Sequence, residues 1–320
     1  MDLAPRRPPY YAVAGVIAQL LPEESQKALQ EYGAAQHELT DFSLLHWCAV
    51  KALFDGERLD VAESIWKHMS EMKPESAVPY VGLSAVHYQR GLAGEPGAAA
   101  KSEASARRAI ELDPLFFQSY YNLGLALQLR IGQERADEAS FTVADLNAIL
   151  EPIKTTLRYD GLQPQALNDA AYAIALMVKK DSQSASIGEA DSMVRRAIRL
   201  IEREREGECK LSVENLHLLS QVYDTLRAVE ELQGHTTAAL AAARSALEFM
   251  PPKDEADYKA MFTDNVQRLE AAAAGRLLTV VICRPVVTPC VWKPLIMSCQ
   301  PAGVFGVGVD PPPLRIEPRL

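Results

Sequence analysis

Histidine, cysteine and paired acidic residues are the side chains of this sequence that could catalyse a reaction or bind a metal ion. The six histidines occur singly, and the five cysteines are widely spaced. General acid–base catalysis and metal coordination both require such groups to converge. Acidic pairs such as Glu23-Glu24 and Glu230-Glu231 fall at predicted helix starts or on exposed faces, where they are solvated or favour the helix dipole. We also find no phosphate-binding loop, dinucleotide fingerprint, zinc-protease motif or nucleophile elbow. We therefore predict a protein that is not an enzyme and has no cofactor or metal.

Three cysteines, Cys283, Cys290 and Cys299, lie in a C-terminal segment of unusual composition, residues 275–320. Spacings of seven and nine residues match no zinc pattern. Residues 276–320 also contain eight of the 20 prolines, which prevents a long helix. The segment could be a binding segment or a disordered extension, a metal site, or the product of a shifted reading frame. The last interpretation is favoured, and we expect an irregular tail.

Charge and hydropathy exclude several classes of partner. Residues 1–275 carry 28 Lys and Arg against 40 Asp and Glu, a net charge of −12. Such an acidic body argues against nucleic acid, because phosphate binding depends on Lys and Arg. No apolar run reaches the roughly 20 residues that span a bilayer. An odd number of scattered cysteines favours a reducing, cytoplasmic location. The weak alternative is export, since Arg6 and Arg7 precede an apolar stretch.

The segment "YYNLGLALQ", residues 120–128, predicts a helix that packs closely against another helix. Tyr120, Leu123, Gly124 and Leu127 recur at helical spacing on one face. Glycine inside a helix costs about 1 kcal/mol relative to alanine. Gly124 therefore indicates that a neighbouring helix approaches at this position.

A second recurring pattern places small residues before a proline that ends a helix. Ala62, Trp66 and Pro74 show it in residues 56–74, and the same order of small residues and proline returns in residues 104–114 and 234–251. Together the two patterns resemble the tetratricopeptide repeat (TPR), whose helix–turn–helix unit reads W-x2-L-G-x2-Y, A-x3-F and P. The resemblance covers roughly residues 43–270.

This resemblance implies an all-α, right-handed superhelical solenoid of about five helix pairs. The predicted repeats are 43–76, 77–116, 117–166, 167–212 and 213–252. Residues 253–274 are predicted to form a C-terminal capping helix, and residues 1–42 to form N-terminal helices that cap the stack or mediate oligomerisation.

The resemblance also implies that the first helix of each pair lines a concave groove that binds a segment of a partner protein. The predicted groove residues are Trp47, Lys51, Phe54, Val81, Tyr88, Gln118, Tyr121, Leu125, Gln128, Asn168, His217 and Gln221. The expected function is that of a scaffold or adaptor, with chaperone or assembly-factor roles as special cases. The alternative is a homo-oligomeric structural protein that assembles through its N-terminal helices.

Overall fold

The described part of the chain is entirely helical. The computed structural model describes residues 42–54, 58–135, 140–207, 213–251 and 256–275, which form eleven α-helices and no β-strand. The helices are α1 Phe42–Phe54, α2 Leu59–Met72, α3 Val78–Leu92, α4 Ala98–Leu112, α5 Phe117–Arg135, α6 Val143–Tyr159, α7 Pro164–Lys180, α8 Ile187–Gly207, α9 Val213–Leu232, α10 Thr236–Glu248 and α11 Ala256–Ala273. The predicted all-α fold class is confirmed. The N-terminal helices predicted before residue 42 and the predicted tail lie outside the described residues.

Local sequence signals explain where several helices begin. Pro164 is the first residue of α7, where its fixed φ suits the helix and its missing N–H costs nothing. At α6 the Thr142 hydroxyl accepts a hydrogen bond from the Asp145 N–H (3.1 Å), and the Asp145 carboxylate accepts one from the Thr142 N–H (2.9 Å). This reciprocal capping box satisfies backbone groups that the first turn leaves unpaired. Gly234, with φ of 80°, supplies the left-handed turn between α9 and α10.

Packing follows the order of the chain. Each helix packs closely against the next one, from α1 through α10. The last helix, α11, packs on α10 through a small cluster containing Leu269, Ala239 and Ala243. Extensive contacts within the described ranges join only helices that are one or two places apart in sequence. This one-dimensional pattern is that of a solenoid of stacked helix pairs.

Glycines permit the closest approaches between neighbouring helices. A Cβ added at Gly124 would lie 2.6 Å from Cγ1 of Ile153 in α6, and 3.3 Å from the backbone oxygen of Ile149. The close approach predicted at Gly124 is thus confirmed. Gly82 permits a similar close approach between α3 and α2, because a Cβ at this position would lie 2.1 Å from the Trp66 indole.

The first helices of successive pairs form one wall of the stack. Close packing joins α3 to α5 and α7 to α9, and α1 makes a smaller contact with α3. The step from α5 to α7 is different, because these two helices are not closely packed along their backbones. The wall is therefore wider between the third and fourth pairs than between the second and third or the fourth and fifth.

Candidate partner-binding face

Some of the predicted groove residues lie in the first helix pair. Trp47, Lys51 and Phe54 belong to α1, but their side chains lie outside the described residues. Their participation in a groove therefore remains a prediction.

Four predicted groove residues are in the interior. Tyr88, Tyr121, Leu125 and Asn168 expose 5%, 2%, 8% and 0% of their surface. Tyr121 and Leu125 belong to the large central hydrophobic cluster, as does Tyr88. In this conformation these side chains stabilise the contacts between pairs, and they present almost no surface to a partner.

Five other predicted positions are partly exposed along the same wall. They are Val81, Gln118, Gln128, His217 and Gln221. The Gln118 amide donates to Asn122 Oδ1 (3.2 Å), and the Gln221 amide lies 3.0 Å from the His217 ring nitrogen. Polar groups held in this way could exchange their partners for those of a bound segment.

Helix α7 begins earlier than the predicted repeat boundary at residue 167. The loop before α5 contains Asp113, whose carboxylate accepts from the Leu115 N–H (3.0 Å). Asp160 accepts in the same way from the Leu162 N–H (3.1 Å) before α7. In both loops the helix begins four residues after the aspartate. Because Pro164 is favoured at a first helical position, it sets a start three residues before the predicted one.

This register gives the fourth pair a carboxyl group that the sequence analysis missed. With the loops aligned, Asn168 corresponds to Tyr121, and Asp169 corresponds to Asn122. The shared Asp-x-Leu turn was the signal that could have identified the position. Asp169 is only 4% exposed. A carboxyl group at such depth requires a specific environment.

The environment of Asp169 consists of neutral hydrogen-bond donors. The Tyr121 hydroxyl in α5 donates to its Oδ2 (2.8 Å), bridging the wide step of the wall. From its own helix, the amides of Gln165 and Asn168 lie 3.4 and 3.5 Å from Oδ1. Burial raises the pKa of Asp169 from its usual 3.8 to about 7, although these three donors oppose the shift. Tyr88 is buried near Asp169. Burial raises the pKa of Tyr88, and the negative charge of Asp169 raises it further.

A small cavity adjoins this carboxyl group between α5, α6 and α7. Its volume is about 10 Å³, and it is partly open to the surface. Its polar lining consists of Gln128, Asp169 and Tyr172. Its apolar lining consists of Phe141, Leu146, Ile149, Ile153, Ala173 and Leu176. A space of this size holds one water molecule or a group of similar size.

The predicted exposure of Glu230 is wrong, because this residue lies in the last turn of α9 and is a second buried carboxylate. It has charged neighbours. Arg195 in α8 donates to its Oε1, and His235 Nδ1 lies 2.9 Å from its Oε2. The Glu230 side chain is 4% exposed, whereas those of Arg195 and His235 are 46% and 61% exposed. This cluster joins α8, α9 and the start of α10, so its geometry is that of a structural ion network.

Metal sites and membrane spans are both absent from the described part of the chain. No three His, Cys, Asp or Glu side chains in these ranges converge as metal ligands. None of the helices in the described ranges is both long enough and apolar enough to cross a membrane.

The loops leading into α5 and α7 expose apolar side chains. Leu115 and Leu162 are 70% and 64% exposed, and each follows one of the aspartate turns. Tyr159 is 50% exposed, and its ring lies 6.1 Å from that of Tyr120. Leu115 and Leu162 lie in loops, whereas Tyr159 ends α6 and Tyr120 belongs to α5.

No protein-family model matches the chain, and no curated protein matches its sequence. Among solved structures, the chain is similar to the crystal structure of a thermophilic TPR protein of Thermus thermophilus. The two share 16% sequence identity, and the match covers 71% of this chain and 99% of the other, with a TM-score of 0.48. Because that score is low, the helix packing described above is what establishes an all-α stack of helix pairs.

Proposed function

We propose that this protein is a TPR-type interaction scaffold that binds a segment of a partner protein along the wall of first helices. The observation that supports this function is the side-by-side packing of those helices, α1 with α3 with α5, and α7 with α9. We refer to the partly exposed side chains of these helices as the row, and its members are Val81, Gln118, Gln128, Tyr172, His217 and Gln221. A wall of this kind is the recognition surface of helical repeat proteins.

The chemistry of the row suits an amphipathic segment. Val81 and the Tyr172 ring offer apolar surface, whereas Gln118, Gln128 and Gln221 offer amide groups that both donate and accept. Adaptor, assembly-factor and chaperone-like roles all use reversible binding of this type. We expect affinities of about 1 μM for the best segments, which corresponds to roughly −8 kcal/mol.

Selection from a displayed random peptide library, using the full chain as bait, tests this function. The selected peptides are then titrated against the wild type and two matched variants. Gln128→Arg places a long cation on the wall, and Asn147→Arg places the same group on the exposed surface of α6. We expect Gln128→Arg to weaken binding at least about tenfold and Asn147→Arg to change it less than about twofold. Equal binding by both variants, or no selected peptide at all, would refute the proposal.

A further inference from the structure

Asp169 is a buried acid with no counterion in the described part of the chain. Its hydrogen-bond partners are the neutral Tyr121 hydroxyl and the amides of Gln165 and Asn168. Within the described ranges, no Lys, Arg or His forms an ion pair with it. An ionised carboxylate in the interior is costly unless a cation accompanies it. The site therefore lacks a positively charged partner among the described residues whenever Asp169 is ionised.

Asn168, the neighbour of Asp169 in sequence, has an unsatisfied buried acceptor. Its side chain is completely buried, and its Oδ1 accepts no hydrogen bond within the part of the chain that the structure describes. Its amide nitrogen lies 3.5 Å from Asp169 Oδ1. Buried acceptors without donors are rare in folded proteins. The polar groups in this part of the interior are therefore not fully satisfied by the described residues.

The space beside Asp169 can hold the ammonium head group of an aliphatic amine. The cavity of about 10 Å³ holds a group the size of a water molecule, which an ammonium group resembles. Its remaining walls, including Ile149 and Ile153, are mostly apolar and would contact a hydrocarbon stem. The cavity is partly open to the surface, so an extended side chain can enter it from outside.

We propose that this crevice between α5, α6 and α7 is a subsite for the primary ammonium group of a lysine in the bound protein segment. Asp169, whose carboxyl group lines the cavity, is the counterion. This inference rests on the proposed function, since it names a side chain that the partner supplies. The net charge of −12 over residues 1–275 attracts such a basic segment.

The titratable groups around the subsite predict how binding depends on pH. Tyr88 of α3 and Tyr121 of α5 are the ionisable side chains that interact with Asp169, and no charged side chain of α6, α8 or α9 contributes to its pKa. Because that pKa is about 7, the carboxylate form increases about tenfold between pH 6 and pH 8. An ammonium ion that requires the carboxylate should bind about tenfold more tightly at pH 8.

Calorimetric titration of the full chain with n-butylammonium chloride tests the subsite, because the butylammonium ion reproduces the side chain of lysine. The controls are n-butanol, which has a similar size and no charge, and sodium chloride at equal ionic strength. Two variants are compared, Asp169→Asn in the crevice and Asp264→Asn on the exposed surface of α11. We expect Asp169→Asn to weaken butylammonium binding at least about tenfold and Asp264→Asn to leave it within about twofold. The wild-type pH dependence remains a test if Asp169→Asn fails to fold.

The outcomes separate this inference from the proposed function. No binding of butylammonium by the wild type, no preference over butanol, or equal affinity at pH 6 and pH 8 would overturn the subsite. Selected peptides provide the second arm, in which each lysine is replaced by norleucine. If replacing lysine by norleucine leaves peptide affinity unchanged, and if wild type and Asp169→Asn bind the selected peptides with equal affinity, the scaffold function stands and the subsite is wrong. If no peptide binds but butylammonium binds in an Asp169-dependent way, the crevice is an ammonium site, and both the scaffold function and the assignment to a partner's lysine are wrong.

Discussion

Gly124→Ala is expected to destabilise the protein, although alanine is the better helix former. The added carbon would lie 2.6 Å from Ile153 Cγ1 and 3.3 Å from the Ile149 backbone oxygen. Favourable contact distances between carbon atoms are about 3.5–4.0 Å. Ile153 is 1% exposed, and its Cγ1 is attached directly to the branched Cβ, so it cannot move aside freely. Overpacking costs about 1–3 kcal/mol, against about 1 kcal/mol gained in helix propensity.

The net expectation for Gly124→Ala is a loss of up to about 2 kcal/mol in the free energy of unfolding. Gly132→Ala is the control in the same helix, because its added carbon would lie 3.8 Å from the nearest atom, Cζ of Phe141. That variant should gain up to about 1 kcal/mol. Urea unfolding followed by circular dichroism measures both. Equal stabilisation by the two alanines would show that α5 and α6 do not approach closely at Gly124, and would refute the packing account.

Three further predictions concern buried ionisable groups. The pKa of Asp169 is raised in the folded state, so the folded chain keeps a proton that the unfolded chain releases. Stability should therefore fall by about 4 kcal/mol as pH rises from about 4 to about 7, and Asp169→Asn should flatten this pH profile in chemical unfolding. An unchanged profile would contradict the buried acid. Burial also raises the pKa of Cys48 to about 11, which lowers the fraction of reactive thiolate. Alkylation of Cys48 at pH 8, followed by peptide mass spectrometry, should therefore be at least about 100-fold slower in the folded protein than in denaturant. Equal rates would contradict the burial of this thiol. Glu230→Ala should cost about 2 kcal/mol by thermal unfolding, because it removes the buried acceptor of Arg195. Asp191→Ala, which removes a more exposed partner of the same arginine, should cost less than about 0.5 kcal/mol, and equal costs would contradict the structural role of Glu230.

Some of the candidate site could be inferred from spacing, and some could not. The pattern around Tyr120 and Gly124 identified the helix that contributes to the wall, because local periodicity reports which face a helix buries. It did not reveal that Tyr88 and Tyr121 are interior. Their burial depends on how far the next helix pair lies from them, and that distance is not a property of one helix.

The sequence by itself determined the local architecture of this protein. Helical spacing of apolar residues, prolines at helix starts such as Pro164 and the interior glycine at position 124 are short-range signals, and each acts within one helix or between two neighbours. The tertiary structure alone decided the spacing between α5 and α7, the neutral surroundings of Asp169 and the cavity beside it. Those features depend on side chains from three helix pairs, which are brought together only when the stack forms.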